Sequence, residues 1–147
     1  NLADYGYEKG YILNPGDKVT GTIEITHPKF GTDYDSFAPW IGFLNTGDEA
    51  KDITECDVWS MQLDIGYGSR IKDNHPEIEL INGITWGSTG EELKATFGEP
   101  KDYYRSDSLG YDSYTFYYRD EANRNDIYAK FTVYDEFGLT SVQYQVY

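Results

Sequence analysis

The sequence predicts an α+β, β-rich fold: antiparallel sheets with one short helix at about 88–97. Three observations carry that prediction. Apolar and polar residues alternate over several runs of strand length. Fifteen tyrosines stand against one methionine, and tyrosine suits half-buried strands, where its ring packs and its hydroxyl stays wet. Only the segment 88–97 carries both a start and a stop signal for a helix.

The first half reads as strands between turns. Asn14-Pro15-Gly16-Asp17 is a turn signal. Beyond it Val19, Gly21, Ile23 and Ile25 alternate with Thr20, Thr22, Glu24 and Thr26, as in a half-buried strand, and His27-Pro28 ends it. A polar loop is expected over 31–36. Residues 38–44 read as a second strand, closed by Asn45-Thr46-Gly47-Asp48. Residues 57–65 read as a third, with Trp59, Met61, Leu63 and Ile65 on one face. Residues 66–75 read as a loop and 77–81 as a short fourth strand.

The second half begins at Gly83. Ser88 with Glu91, or Thr89 with Glu92, makes a capping box, in which the hydroxyl accepts a backbone N–H and the carboxylate reaches back. Leu93 and Phe97 share a helical face, Gly98 suits the residue after a helix, and Pro100 forbids continuation. Three alternating runs follow: Tyr114, Phe116 and Tyr118; then Ile127, Ala129, Phe131 and Val133; then Val142, Tyr144 and Val146. Short connections imply antiparallel pairing, because no length is left for crossovers. The predicted core is Phe116, Phe131, Val133 and Val142 against Leu93 and Phe97. The expected organisation is an N-terminal β-rich half, 1–82, and a C-terminal helix and three-stranded sheet, 83–147, in one compact unit. Leu2-Ala3-Asp4-Tyr5-Gly6 looks like the end of the Leu93–Gly98 stretch. A tandem of two helix-then-sheet units, with the first helix mostly cut off, accounts for that.

Composition narrows the partners. Acidic residues outnumber basic ones 26 to 12, for a formal charge of −14. That field repels nucleic acid and anionic membranes. No stretch approaches the length of apolar chain that spans a bilayer. Cys56 is the single cysteine, so no internal disulfide forms. The chain opens at Asn1 without a Met, and is read as a trimmed product with its targeting segment upstream.

Gly83-Ile84-Thr85-Trp86-Gly87-Ser88-Thr89, Glu91-Glu92-Leu93 and Phe97-Gly98-Glu99-Pro100 resemble a segment of uncharacterised cell-surface lipoproteins of Gram-positive gut bacteria. The Tyr-rich run 111–118, the run 131–134 and Asp135–Gly138 before Leu139-Thr140-Ser141-Val142 fit the same pattern. So does 42–58, with Asn45, Lys51-Asp52-Ile53 and Cys56-Asp57-Val58. The helix-then-sheet unit is in turn similar to the β-lactamase inhibitory protein and to small lipoproteins of outer-membrane barrel assembly. The resemblance implies an extracellular or cell-envelope location, with a lipid anchor upstream, and a fold that binds other proteins. It brings no catalytic residues.

The residues themselves point away from catalysis. A Ser or Cys nucleophile needs an oriented His, and the chain has only His27 and His75, each before a proline. Cys56 reads as a small core residue. Carboxylate pairs such as Asp33 and Asp35, Asp48 and Glu49, Glu91 and Glu92, and Asp120 and Glu121 arise by chance in so acidic a chain. The oxygens of Asp120–Asp126 would suit calcium, but a polar hairpin turn explains them more simply. No cofactor and no metal is expected.

Strand parity yields the candidate site. With Phe116, Phe131 and Val142 facing the helix, Tyr117, Tyr128, Lys130, Thr132, Tyr134, Gln143 and Gln145 face away. Aromatic rings among adaptable amides make a binding surface. The expected function is a non-catalytic, secreted or envelope binding domain with a protein partner. The alternative is a carbohydrate-binding module, for which Trp40, Trp59 and Trp86 are candidate platforms.

Overall fold

The computed structural model describes residues 10–22, 39–71, 73, 75–122 and 124–147. Among these residues the strands and the α-helix are β1 (Ile12–Leu13), β2 (Lys18–Thr22), β3 (Trp40–Leu44), β4 (Lys51–Asp52), β5 (Asp57–Asp64), α1 (Gly90–Phe97), β6 (Asp102–Ser106), β7 (Tyr111–Asp120), β8 (Asn125–Tyr134) and β9 (Gly138–Val146), with short 3-10 turns between them. The fold is α+β and β-rich, as the alternation and the single helix signal imply. The expected strand continuation over 23–26, the loop over 31–36, the Asp33 and Asp35 pair and the Leu2–Gly6 repeat lie outside the described residues.

Seven strands form one antiparallel sheet in the order β2-β3-β5-β9-β8-β7-β6, and β1 pairs with β4 beside it. The C-terminal meander β7-β8-β9 follows the alternating runs. Its apolar rows meet in register, with Tyr114 opposite Phe131 and Phe131 opposite Val142. The helix α1 lies on that face. Leu93, Phe131, Leu139 and Val142 have no exposed surface, and Phe97 stacks between Phe116 at 5.2 Å and Phe131 at 5.3 Å. Each such side chain contributes about 1.5–3 kcal/mol through burial.

The helix starts at its capping box. The Glu92 N–H donates to Thr89 Oγ1 at 3.2 Å, and the Thr89 N–H donates to Glu92 Oε2 at 2.7 Å. Of the two boxes the sequence offers, Thr89 with Glu92 forms. Ser88 instead takes the Thr85 N–H on its Oγ at 3.1 Å. Gly98 ends the helix at φ 82°.

Three expectations are corrected. No strand forms over 77–81 among the described residues. That stretch closes its own hydrogen bonds in a 3-10 turn at Ile81–Gly83, with the Leu80 N–H on the Ile84 carbonyl at 2.7 Å. Ile78 and Leu80 pack on the core instead. An edge strand, β6, forms where no strand was expected. And Trp59 does not share a face with Met61. A bulge opposite Gly42 and Phe43 changes the parity of β5, and the Trp59 indole lies over Gly42, where a Cβ would stand 2.6 Å from its Nε1.

The N-terminal strands join the C-terminal ones edge to edge. β5 pairs with β9 from Ser60 opposite Gln145 to Asp64 opposite Ser141. A second cluster of Leu13, Phe43 and Ile53, with Val19, Ile41 and Cys56 against it, covers the apolar face at the β2–β3 end. Buried Asn45 holds this corner together. Its Nδ2 donates to the Leu13 carbonyl at 2.8 Å and the Glu49 carbonyl at 2.7 Å, and its Oδ1 accepts the Gly47 N–H at 2.9 Å.

Candidate functional site

The apolar face of the large sheet is covered by α1, by the 78–86 segment and by the β1–β4 corner. Among the described residues no element covers the other face. Cross-strand register sets out its chemistry in rows. The central row runs Trp40, Gln62, Gln143, Lys130, Thr115 and Asp102, one residue from each of six strands. At the usual strand spacing of about 4.8 Å it is about 24 Å long. On one side lie Ser60, Gln145, Tyr128 and Tyr117, and on the other Ser141, Thr132, Ser113 and Tyr104.

The face is hollowed rather than flat. A hollow of about 460 Å³ lies between Tyr67 and Tyr104, and one of about 480 Å³ lies beside Tyr128 and Tyr147. A third, of about 230 Å³, lies between Trp40 and Trp59. Gln143 lines all three, and Lys130 lines the two larger ones. Exposed rings stand at the borders: Trp40, Tyr67, Tyr104 and Tyr147 are each between 51% and 58% exposed.

Much of the aromatic surface is already engaged. The Lys18 ammonium lies 4.6 Å from the Trp59 ring centre, and Lys101 lies 4.5 Å from that of Tyr117 and 5.2 Å from that of Tyr128. The Tyr117 hydroxyl donates to Asp126 Oδ1 at 2.6 Å, and Arg119 donates to the same oxygen at 2.7 Å. Those two hydrogen bonds hold the Asp126 carboxyl below the usual range, and the Tyr117 phenol is raised because its hydroxyl is held by a carboxylate. The central polar side chains are different. Gln62, Gln143, Lys130, Thr115 and Thr132 carry no side-chain hydrogen bond or ion pair among the described residues. At the edge of the hollow between Tyr67 and Tyr104, Thr140 is fully buried and its hydroxyl has no partner among the described residues.

The residues expected from parity sit as follows. Tyr117 and Tyr128 are opposite one another with ring centres 5.3 Å apart, Tyr128 is opposite Gln145, and Lys130 is opposite Gln143. Tyr134 borders the hollow between Tyr67 and Tyr104 but is only 8% exposed, packed against Tyr111 at 5.3 Å. Burial raises its phenol pKa. It therefore offers a ring edge rather than a free platform. Trp86 belongs to the core side, its Nε1 donating to the Pro76 carbonyl at 2.9 Å. Parity on the second half alone missed Trp40, Trp59 and Gln62. Ser60, Gln62 and Asp64 alternate with Met61 and Leu63 and carry a readable signal for this face. The bulge that adds Trp59 leaves no such signal.

Outside this face the chemistry is sparse. His75 Nδ1 lies 3.3 Å from the Pro76 carbonyl, and its ring meets Trp86 edge-on. His27 lies outside the described residues. Cys56 is partly buried, its Sγ 3.4 Å from the Asp52 carbonyl, and burial raises its pKa. In the 120–126 turn, Asp120 accepts the Ala122 N–H at 3.1 Å, while Asp126 is taken by Tyr117 and Arg119. Among the described residues no three of His, Cys, Asp and Glu come together as a metal-binding group. Nor is any helix there long and apolar enough to cross a membrane. The chain matches no family model, no curated protein and no solved structure.

Proposed function

We propose that this chain is a non-catalytic binding domain of the secreted or cell-envelope kind, and that it binds through the open face of its seven-stranded sheet. The observation that carries the reading is the central row, where Gln62, Gln143 and Lys130 stand in hollows without side-chain partners among the described residues. Unsatisfied donors and acceptors on a rigid sheet are prepared for a ligand's polar groups.

A protein partner is the expectation from the sequence. The make-up of the face favours the second reading, a carbohydrate. Protein interfaces concentrate their energy in a desolvated apolar centre. Here the centre is amide, hydroxyl and ammonium. Among the described residues, Leu109 and Ile41 are the only aliphatic side chains bordering the three hollows, and Ile41 packs into the Phe43 cluster. Aromatic rings at the border with hydrogen-bonding groups between them complement a sugar, which offers C–H faces and hydroxyls.

The test is a glycan array probed with the wild-type chain and with a Gln62→Ala, Gln143→Ala, Gln145→Ala variant that keeps its circular dichroism. Binding by the wild type that the variant loses is the expected result. Equal binding by both overturns the assignment to this face.

A further inference from the structure

We infer that the open face selects an acidic carbohydrate, with Lys130 reading a carboxylate on the sugar chain. The inference rests on the proposed reading of the face as a glycan surface and adds the charge of the ligand.

Charge carries it. The chain has a formal charge of −14, so an anion is drawn to it only beside an uncommitted cation. Three of its lysines border the open face. Lys18 is held over the Trp59 and Tyr147 rings and Lys101 over the Tyr117 and Tyr128 rings. Lys130 is exposed and makes no ion pair, hydrogen bond or ring contact among the described residues. Among the other described cations, Lys94 meets Glu91 at 2.9 Å, Arg105 meets Asp135 at 2.6 Å and Arg119 meets Asp126 at 2.7 Å, while Lys51 and Arg124 also make no ion pair but border none of the three hollows. In so acidic a protein, a lysine left single at the meeting of two hollows is a site short of an anion.

Its neighbours fit the same ligand. Lys130 pairs across the sheet with Thr115 on one side and Gln143 on the other, both uncharged. The nearest acid in its row, Asp102, lies two strands away, roughly 10 Å at normal strand spacing. The two hollows also hold acids, Asp64 and Asp102 in one and Asp126 in the other, but none pairs with Lys130, and Asp126 is taken by Tyr117 and Arg119. A carboxylate seated at Lys130 thus meets an ammonium between two neutral side chains, with Gln143 and Gln62 reaching toward ring hydroxyls and Trp40 offering an exposed face at the end of the row. A charge-assisted hydrogen bond in this partly enclosed setting outweighs the long-range repulsion of the net charge, which salt screens over about 8–10 Å.

Isothermal titration decides it. The ligands are oligosaccharides of galacturonate, of alginate and of hyaluronan, each with its carboxyl-reduced neutral counterpart, and poly-glutamate as an acidic polypeptide. The expected result is binding of at least one acidic oligosaccharide, weakened about tenfold or more by carboxyl reduction, by Lys130→Gln, and by added salt. Lys130→Gln sits on an exposed strand position, and Trp40→Ala is the second variant, expected to weaken acidic and reduced sugars alike. Equal affinity for acidic and reduced sugars overturns the inference while leaving the glycan surface standing. Binding of poly-glutamate alone overturns it in favour of a polypeptide ligand. No binding of any acidic sugar overturns it outright. Acidic sugars bound equally by wild type, Lys130→Gln and Trp40→Ala overturn both this inference and the assignment of the face.

Discussion

Asn45 shows how much one side chain can hold. It is 1% exposed, and its amide joins the Leu13 carbonyl of β1 to the Glu49 carbonyl and the Gly47 N–H of the turn before β4. Asn45→Ala leaves the buried Leu13 carbonyl without its donor and opens the turn at Glu49, a cost of about 1–3 kcal/mol. Urea unfolding should show a lowered midpoint with an unchanged slope. Carboxylates set the acid side of stability. Asp135 accepts both arms of Arg105, at 2.6 Å and 2.7 Å, and Asp126 accepts Tyr117 and Arg119. These hydrogen bonds hold both carboxyls below their ordinary range. Their contribution is therefore complete above about pH 4, where the unfolded carboxyl ionises, and is lost as pH falls through the lower folded values. An Asp126→Asn, Asp135→Asn variant should lose less stability than wild type between pH 7 and pH 3, measured by urea midpoints. A wild-type loss no greater than the variant's would contradict this.

The legibility of each element follows how locally its energy is decided. The helix was readable because Thr89, Glu92, Gly98 and Pro100 settle its ends within its own residues. Thr89→Ala should cost about 1 kcal/mol, seen as a lower thermal midpoint with the same native spectrum. The strands β7, β8 and β9 were readable because each buries one face only, so that apolar and polar residues must alternate. The edge strand β6 was not. Asp102, Tyr103 and Tyr104 are all exposed, so no alternation marks it. Its place is secured by distant groups: Tyr103 donates to Asp112 at 2.6 Å, and Arg105 ties it to Asp135. Residues 77–81 have strand-like composition, but Ile78 and Leu80 pack on the core and the segment turns into its own 3-10 hydrogen bonds. The face of Tyr117, Tyr128, Lys130, Gln143 and Gln145 came from parity alone. Its extension over β5 and β3 did not, because a pairing partner is not written in the local pattern of either strand.

At the scale of the molecule, the pairing of β5 with β9 makes the two halves one sheet. Separating them would expose the β9 edge and the apolar side chains Met61, Leu63 and Tyr144 beside it. Thermal unfolding should therefore be a single transition, with calorimetric and van't Hoff enthalpies equal. Residues 83–147 alone should be less stable than the whole chain, or associate through the bared edge. Two separate transitions would show that the halves fold independently. The motifs of 83–100 are capping, stopping and core residues. They account for a local unit and leave the seven-stranded order, which unites the two halves, to long-range pairing.

The bulge in β5 has an optical consequence. It turns Trp59 over Gly42, beside Gln62 and Gln145, on the same side of the sheet as Trp40. Trp86 is the third tryptophan, on the opposite side against the core. Two of three indoles thus view the open face, and one of them is watched over by an ammonium. The protein carries its own fluorescent gauge: a ligand settling between Trp40 and Trp59 should alter the emission of those two and leave that of Trp86 unchanged. Gly42→Ala, by displacing the Trp59 indole, should shift the unliganded signal without unfolding the sheet.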